Sequence, residues 1–195
     1  MAIHHLFLVM THLNLQPSVL ENNLISLKPL TGQEFEALYE AASDPAIWAQ
    51  HPSPTRYKRE EFQQFYDSAL ASKSAFVVAD KETGNIIGST RFYDYKPDES
   101  SIAIGYTFLA TKYWGGKYNQ CMKQLLLDYA FQSVDSVFFH VGQSNMRSQK
   151  AVLKLGASMV REFICEQSAS KSPYFEFELK KESWLKRMQN QALVS

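Results

Sequence analysis

The sequence predicts a single α/β (α+β) domain in which a mixed β-sheet carries helices on both faces. Its 195 residues fit the usual size of one domain, and no repeat or low-complexity linker divides them. Hydrophobic periodicity alternates between strand and helix in the order β-α-α-β-β-β-α-β-α-β-β-α. Two connections between strands are too short for a crossover, so part of the sheet is predicted to be an antiparallel meander.

The first half of the predicted domain begins with a strand and two helices. Alternating apolar residues predict an edge strand over Leu24–Leu30. Thr31 followed by Glu34 is a capping-box pattern, which predicts a helix that starts there and ends at Asp44-Pro45. A second helix is predicted over Arg59–Ser72. Its apolar stripe consists of Phe62, Phe65, Tyr66, Ala69 and Leu70.

The meander and the second half follow from the same patterns. Turn residues at Gly84-Asn85 and Pro97-Asp98 separate three short strand-like runs. The longest apolar helical stripe begins at Tyr118 and ends at Ala130. The remaining predicted strands are Ala75–Asp80, Ile86–Tyr93, Ser101–Leu109, Val137–Val141, Ser158–Cys165 and Tyr174–Leu179, and the remaining helices are Asn145–Leu155 and Lys181–Gln191.

Composition argues against several classes of function. The 20 Lys and Arg residues balance the 20 Asp and Glu residues, so neither nucleic acid nor an anionic membrane is an expected partner. No apolar run of about 18 residues predicts a membrane-spanning helix. Two cysteines are too few for a disulfide scaffold, and we expect a cytoplasmic protein. The histidines near the start, His4, His5 and His12, lack metal-ligand spacing, so no metal is expected.

The chain is predicted to divide into an extension and a domain. Residues 1–22 contain a short apolar stretch but neither a basic leader nor a secretory cleavage site. We expect them to be a poorly ordered N-terminal extension. Residues 23–195 are expected to form the domain, including its C-terminal helix.

The junction between the third meander strand and the long helix is a candidate anion site. Gly115-Gly116 allows backbone conformations that other residues avoid, and a helix begins directly afterwards. The free N–H groups and the dipole at a helix start favour phosphate, and Lys112 and Lys117 add positive charge. A plain tight turn explains the glycines equally well. The pattern is neither a Walker P-loop nor a dinucleotide fingerprint.

Three segments in succession resemble the GCN5-related N-acetyltransferase (GNAT) superfamily. They are IGYTFLATKYWGGKYN, MKQLLLDYAF and VFFHVGQSNMRSQKAVLKLGA. Within the superfamily the likeness is to the branch of ribosomal-protein N-terminal alanine and serine acetyltransferases, and it covers Leu24 to Trp184. The resemblance implies a mostly antiparallel twisted sheet whose central pair of parallel strands splays apart.

The resemblance also implies acetyl-CoA as cosubstrate and assigns residues to it. The pantetheine arm lies in the gap between the splayed strands and bonds to the backbone of Thr107, Phe108 and Leu109. Asn145 is implied to contact the arm, and Ser148 lies near the thioester sulfur; both are therefore the catalytic candidates. A hydrogen bond from Ser148 to its own helix is the alternative. The other implied cofactor contacts are Trp114, Gly115, Gly116, Lys117, Tyr118, Asn119 and Arg147.

The chain departs from the family pattern at several positions. Lys117 and Asn119 occupy two small-residue positions of the pyrophosphate loop. Val152 replaces the usual general-acid tyrosine, and Ala103 replaces a frequent glutamate. The general base is therefore open. Its candidates are Glu99, Asp94, His51 and His140.

The function implied by the resemblance is direct transfer of acetyl from acetyl-CoA to a primary amine. The acceptor is either a small molecule or a protein N-terminus. The missing tyrosine and glutamate leave a second hypothesis open, a non-catalytic CoA-binding or sensing domain. A homodimer is also left open, because Tyr174–Leu179 has the alternation of a strand that could pair at an edge.

Overall fold

One sheet of eight strands and five α-helices make up residues 12–164 and 172–193, the part of the chain that the computed structural model describes. Short 3₁₀ turns connect several of these elements. The strands are β1 (Leu20–Glu21), β2 (Ile25–Pro29), β3 (Ala75–Asp80), β4 (Ile86–Lys96), β5 (Ser101–Leu109), β6 (Ser136–Gly142), β7 (Ser158–Ile164) and β8 (Pro173–Lys180). The helices are α1 (Phe35–Ala42), α2 (Arg59–Ser72), α3 (Lys117–Ala130), α4 (Met146–Leu155) and α5 (Lys181–Ala192).

The strand order is β1-β2-β3-β4-β5-β6-β8-β7. Every neighbouring pair is antiparallel except β5 and β6, which run parallel. This pair is joined only from Ser101–Ala103 to Ser136–Phe138, and the rest of each strand pairs on its outer side alone. The predicted fold class and the central splay are both confirmed.

Helices cover both faces of the sheet, as predicted. Ile102 and Ile104 join one apolar cluster, whereas Phe108 joins the other. Regular alternation would place all three on one face, but the register of β5 against β4 shifts between Gly105 and Phe108, which adds one residue to β5 and reverses its faces. The first cluster contains the buried residues of α3, α4 and α5. The second contains those of α1 and α2. We call these the α3 face and the α2 face.

The segment 12–22, which the sequence assigns to the N-terminal extension, packs against the domain. Leu13 is buried in the α3-face cluster, and its backbone N donates to the Tyr95 hydroxyl at 3.3 Å. The Tyr129 hydroxyl donates to the carbonyl of Asn14 at 2.7 Å. Residues 1–11 lie outside the described part of the chain.

The first helix begins later than its capping pattern predicts. Glu34 accepts hydrogen bonds from the backbone N and the hydroxyl of Thr31, at 2.9 and 2.7 Å. This contact closes a turn before the helix, so that Glu34 rather than Thr31 becomes the N-cap residue of α1. The apolar stripe predicted for α2 is also one residue too wide, because Leu70 is 38% exposed.

Strand β8 is an interior strand, which corrects the edge pairing expected of Tyr174–Leu179. It is hydrogen-bonded to β6 on one side and to β7 on the other, so its backbone cannot add a second copy of the chain. Cys165, the end of the predicted strand before it, lies outside the described residues. No helix within the described ranges is long and apolar enough to cross a membrane.

Candidate active site

The opening between β5 and β6 brings the predicted cofactor residues to one end of the sheet. Thr107, Phe108 and Leu109 lie in the part of β5 that has left β6. β5 leads into the turn before α3, and β6 leads into α4 through Asn145. Because the two strands are parallel, both helices start at the same end of the opening. In such sheets ligands bind outside the carboxyl ends of the strands.

The start of α3 has the properties of an anion site. Gly115 adopts a left-handed conformation with φ of 70°, and Gly116 is an N-cap without a side-chain hydrogen bond. The first turn contains no acidic residue. Each of the other four described helices has either an acidic residue in its first turn or a side-chain cap. The amide groups and dipole of α3 are thus the least compensated in the described chain.

The residues around this turn form a shallow pocket of about 160 Å³. The indole of Trp114 donates to the carbonyl of Leu109 at 2.8 Å, which ties the turn to the end of β5. The Arg147 guanidinium lies 3.8 Å from the centre of the Trp114 ring and donates to the carbonyl of Ile47 at 2.9 Å. Burial lowers the pKa of Arg147. The pocket is lined by Leu24, Lys112, Tyr113, Trp114, Gly116, Lys117 and Tyr118.

The start of α4 is fixed by Asn145. Its side-chain Oδ1 accepts a hydrogen bond of 3.1 Å from the backbone N of Ser148, the usual arrangement of an N-cap. Asn145 is buried, and Ser148 is half-buried. The cap occupies the oxygen of the Asn145 amide, so its nitrogen is the group left for a ligand.

A chain of hydrogen bonds crosses the α2 face beside the opening. The hydroxyl of Tyr93 on β4 lies 2.9 Å from Nδ1 of His140 on β6. Nε2 of His140 lies 2.8 Å from the carboxylate of Glu176 on β8. A carboxylate only accepts, so Nε2 carries the proton, and Nδ1 accepts from Tyr93. Arg161 closes the chain with two hydrogen bonds to Glu176, at 2.8 and 3.0 Å.

The electrostatics of this chain keep a charged carboxylate beside a histidine. Burial acts to raise the pKa of Glu176, but hydrogen bonds from Arg161 and His140 outweigh burial, and the pKa lies below its ordinary value. Burial raises the pKa of Tyr93, so its hydroxyl stays protonated. The negative carboxylate of Glu176 thus lies directly against the ring nitrogen Nε2 of His140.

Gly105 makes the contact between Tyr93 and His140 possible. A Cβ at position 105 would lie 2.8 Å from Cε1 and 3.2 Å from the hydroxyl oxygen of Tyr93. The tyrosine ring therefore crosses β5 where that strand has no side chain and reaches β6. Ala103, which replaces the family's glutamate, is directly opposite Tyr93 in the sheet.

The other three candidates for the general base are poorly placed. Burial, followed by the charge of Arg56, lowers the pKa of His51 to about 3, too low to take a proton from an amine. Asp94 and Glu99 both contact Lys96 and are about half exposed. They flank the turn before Ser101, at the opposite end of β5 from the opening.

Two guanidinium groups, that of the buried Arg91 and that of the half-buried Arg56, lie on the same face. Arg91 is 4% exposed, and its Cζ lies 4.0 Å from the centre of the Tyr106 ring, which in turn contacts Tyr93. Its Nε and Nη2 have no hydrogen-bond partner among the described residues. Arg56 lies 4.8 Å from the ring centre of Phe65. Burial lowers the pKa of Arg91, and lowers that of Arg56 to about 10.

Comparison with known proteins identifies the family. The Acetyltransferase (GNAT) domain profile matches residues 25–158. The chain belongs to the GNAT acetyltransferases. This confirms the resemblance of the three segments, and it makes acetyl transfer the chemistry of the family to which the chain belongs.

Solved GNAT structures share the fold at low sequence identity. A GCN5-related N-acetyltransferase from Brucella melitensis superposes with a TM-score of 0.76 at 19% identity, over 87% of this chain and 83% of that one. The spermidine N-acetyltransferase from Vibrio cholerae in complex with CoA and spermine gives 0.65 at 16% identity, over 84% and 99%. A Vibrio cholerae protein described as a ribosomal-protein-serine acetyltransferase gives 0.68 at 16%, over 83% and 97%. These likenesses establish the fold alone.

The GNAT chain has residues that fit acetyl-CoA. The uncompensated start of α3 suits the pyrophosphate, and the unpaired side of β5 suits the amides of the pantetheine arm. Within residues 12–164 and 172–193, no group of three or more His, Cys, Asp or Glu side chains could hold a metal ion.

Sequence reasoning missed several residues that the structure brings together in this GNAT chain. Tyr93 and Glu176 carry no motif, and only their pairing across the sheet relates them to His140. Arg56 and Arg91 gave no signal either. The position of Lys123 could have been found from the sequence. It lies three and four residues before the buried Leu126 and Leu127, so it belongs to the inward face of α3.

Proposed function

We propose that the protein transfers acetyl from acetyl-CoA to a primary amine, directly, with both substrates bound at once. The observation that carries this proposal is the opening between β5 and β6. On the α3 face it adjoins the uncompensated start of α3. On the α2 face it adjoins the Tyr93–His140–Glu176 chain. A thioester lying in the opening would be within reach of an amine from the α2 face.

The cofactor side of the site is built from three groups of residues. Backbone groups of Thr107, Phe108 and Leu109 would hold the arm, and one backbone N–H of β5 would stabilise negative charge on the thioester oxygen. The turn from Trp114 to Asn119 would hold the pyrophosphate. Asn145, Arg147 and Ser148 would fix the arm from α4. Holding the amine and the thioester in line supplies much of the acceleration.

The acceptor amine must lose a proton before or during attack. Nδ1 of His140 is the accepting atom that we propose, with the Tyr93 hydroxyl passing the proton. Glu176 then faces the imidazolium at 2.8 Å and stabilises its charge. His140 would thus act as the base in place of the glutamate that the family often has at position 103, where this chain has an alanine.

Asn145→Ala is expected to weaken CoA binding about tenfold, because one hydrogen bond to the arm is lost. Ser148→Ala is expected to lower turnover more than binding. Calorimetric titration with CoA and initial-rate assays measure both effects. Asn145→Asp is the matched control, since it keeps an oxygen at the cap of α4 and replaces the amide donor by a carboxylate oxygen, which cannot donate. If Asn145→Asp binds CoA like the wild type, the loss in Asn145→Ala comes from the helix cap instead.

The guanidinium groups of Arg56 and Arg91 affect which acceptor the site favours. Arg56 and Arg91 make the α2 face positive, and Arg161 offsets the charge of Glu176. A polyamine would bring further positive charge into this face, which desolvated like charges disfavour. We therefore propose an acceptor with one amine and a neutral or anionic group near it, as at the N-terminus of a peptide.

Spermidine is expected to have a kcat/KM at least about tenfold below that of an alanyl dipeptide with a free carboxylate. The dipeptide amide, which lacks the negative charge, should fall between them. Arg56→Met should reduce the difference between the dipeptide and its amide. Equal or better turnover of spermidine by the wild type would contradict the proposed acceptor class, though not acetyl transfer itself.

Acetyl transfer itself is tested with labelled acetyl-CoA and a panel of peptides and small amines. Formation of the N-acetyl product, with one CoA thiol released for each acetyl group transferred, is the expected result. CoA binding without turnover of any acceptor would favour a non-catalytic CoA-binding domain. A melting temperature that acetyl-CoA does not raise would contradict cofactor binding altogether.

A further inference from the structure

A lysine side chain lies inside the opening between β5 and β6. Lys123 belongs to α3 and is only 6% exposed. Its Nζ donates a hydrogen bond of 3.1 Å to Oγ1 of Thr107 on β5, and it lies 5.3 Å from the centre of the Phe139 ring on β6. Both partners lie beyond the last paired residues of the two strands. The amine therefore reaches both walls of the opening.

The Lys123 amine has no charged partner among residues 12–164 and 172–193. The strands packed against it present a hydroxyl and an aromatic ring, and burial alone lowers the pKa of Lys123 to about 7. The Thr107 hydroxyl also donates to the carbonyl of Gly105 at 3.2 Å and contacts the Thr90 hydroxyl at 2.9 Å. Thr107 takes one of the three ammonium N–H groups of Lys123, which leaves two for a ligand.

A buried cation without a counter-ion is costly for the folded protein. Its position makes chemical sense if negative charge develops in the opening during the reaction. The leaving group of acetyl transfer is a thiolate. The tyrosine that the family resemblance implies as its proton donor is absent, because position 152 is a valine. Position 152 holds a buried valine in the same apolar cluster as Phe139, so no hydroxyl reaches the sulfur from there.

We propose that Lys123 contacts the thioester end of bound acetyl-CoA and that its ammonium group gives a proton to the departing sulfur. This inference rests on the proposed acetyl transfer. The acceptor nitrogen forms a bond to the acetyl carbon, the carbon–sulfur bond breaks, and its electron pair goes to sulfur. One ammonium proton moves to that sulfur, which leaves CoA thiol and a neutral amine. The acceptor loses its own proton on the α2 face, and Lys123 regains one from water.

The test measures the ionisation of CoA bound to the protein, by the ultraviolet absorbance of its thiolate. An ammonium beside a thiol favours the ionised form. The thiol of CoA on the wild-type protein is expected to ionise at a pH lower by about 1 to 3 than that of free CoA. Lys123→Met should abolish this difference, and Lys123→Arg, which keeps the charge, should retain most of it.

Two controls accompany the titration. Lys123→Met keeps an unbranched apolar side chain and removes a buried charge, so its melting temperature should equal or exceed that of the wild type. Lys186→Met changes an exposed lysine of α5 and should leave the titration unchanged. In acetyl transfer, Lys123→Met should lower kcat by about 10²-fold or more.

The possible outcomes separate this inference from the proposed function. If CoA binds equally well to the wild type and to Lys123→Met, and its thiol ionises at the same pH in both, the role of Lys123 is overturned and acetyl transfer stands. If CoA does not bind to the wild-type protein, both proposals fail. An ionisation difference that follows the charge at position 123 supports the acid role.

Discussion

Replacing His140 by asparagine is expected to lower kcat by about 10²- to 10⁴-fold, the range that general acid–base catalysis contributes. The asparagine can still accept a hydrogen bond from Tyr93, but it cannot take a proton at neutral pH. CoA binds on the α3 face in this scheme, so its dissociation constant should change by less than about twofold. Initial rates and calorimetric titration with CoA measure the two quantities.

Three further variants define the role of His140. His12→Asn makes the same substitution at an exposed histidine outside the site and should leave kcat unchanged. Tyr93→Phe removes the hydroxyl that passes the proton, and Glu176→Gln removes the charge that stabilises the imidazolium. Both should lower kcat, by less than His140→Asn does. If His140→Asn retains more than about half of the wild-type kcat, the base lies elsewhere.

The sequence was sufficient to predict the fold because the relevant signals are local. Short turns predicted the antiparallel meander. The segments that contain α3 and α4 resembled the GNAT family, and that resemblance implied the splayed pair of parallel strands. The start of α1 was misplaced because Glu34 turns back to Thr31, a side-chain choice that spacing alone cannot reveal.

The proton-accepting chain could not be predicted, because it is assembled from strands far apart in the sequence. Tyr93 and His140 are 47 residues apart, and His140 and Glu176 are 36 apart. His140 lies between Phe139 and Val141 in a strand, a pattern that is equally typical of a hydrogen-bonded histidine in the core. The register between β6 and β8 is what places Glu176 opposite it. The gap at Gly105 then lets Tyr93 reach it from β4.

Gly105→Ala is expected to lower kcat about 10- to 100-fold while the protein remains folded. The backbone φ of Gly105 lies outside the left-handed range, so alanine can adopt the same main-chain conformation. Its Cβ displaces the Tyr93 ring, which is 2.8 Å away, and so breaks the contact with His140. The ring can move, and alanine also reduces the entropy of the unfolded chain, so the melting temperature should fall by only a few degrees. Steady-state kinetics and thermal unfolding measure the two effects.

A double-mutant cycle shows whether Gly105 acts through Tyr93. In a Tyr93→Leu background the hydroxyl is already gone, so adding Gly105→Ala should lower kcat by less than about twofold further. Coupled residues give such non-additive effects, whereas independent ones give additive effects. Gly32→Ala, where an added Cβ meets nothing within 4 Å, controls for glycine replacement in general. If Gly105→Ala lowers kcat by the same factor in the wild-type and the Tyr93→Leu backgrounds, Gly105 does not act through Tyr93. The tyrosine would then not depend on the space at Gly105 to reach His140.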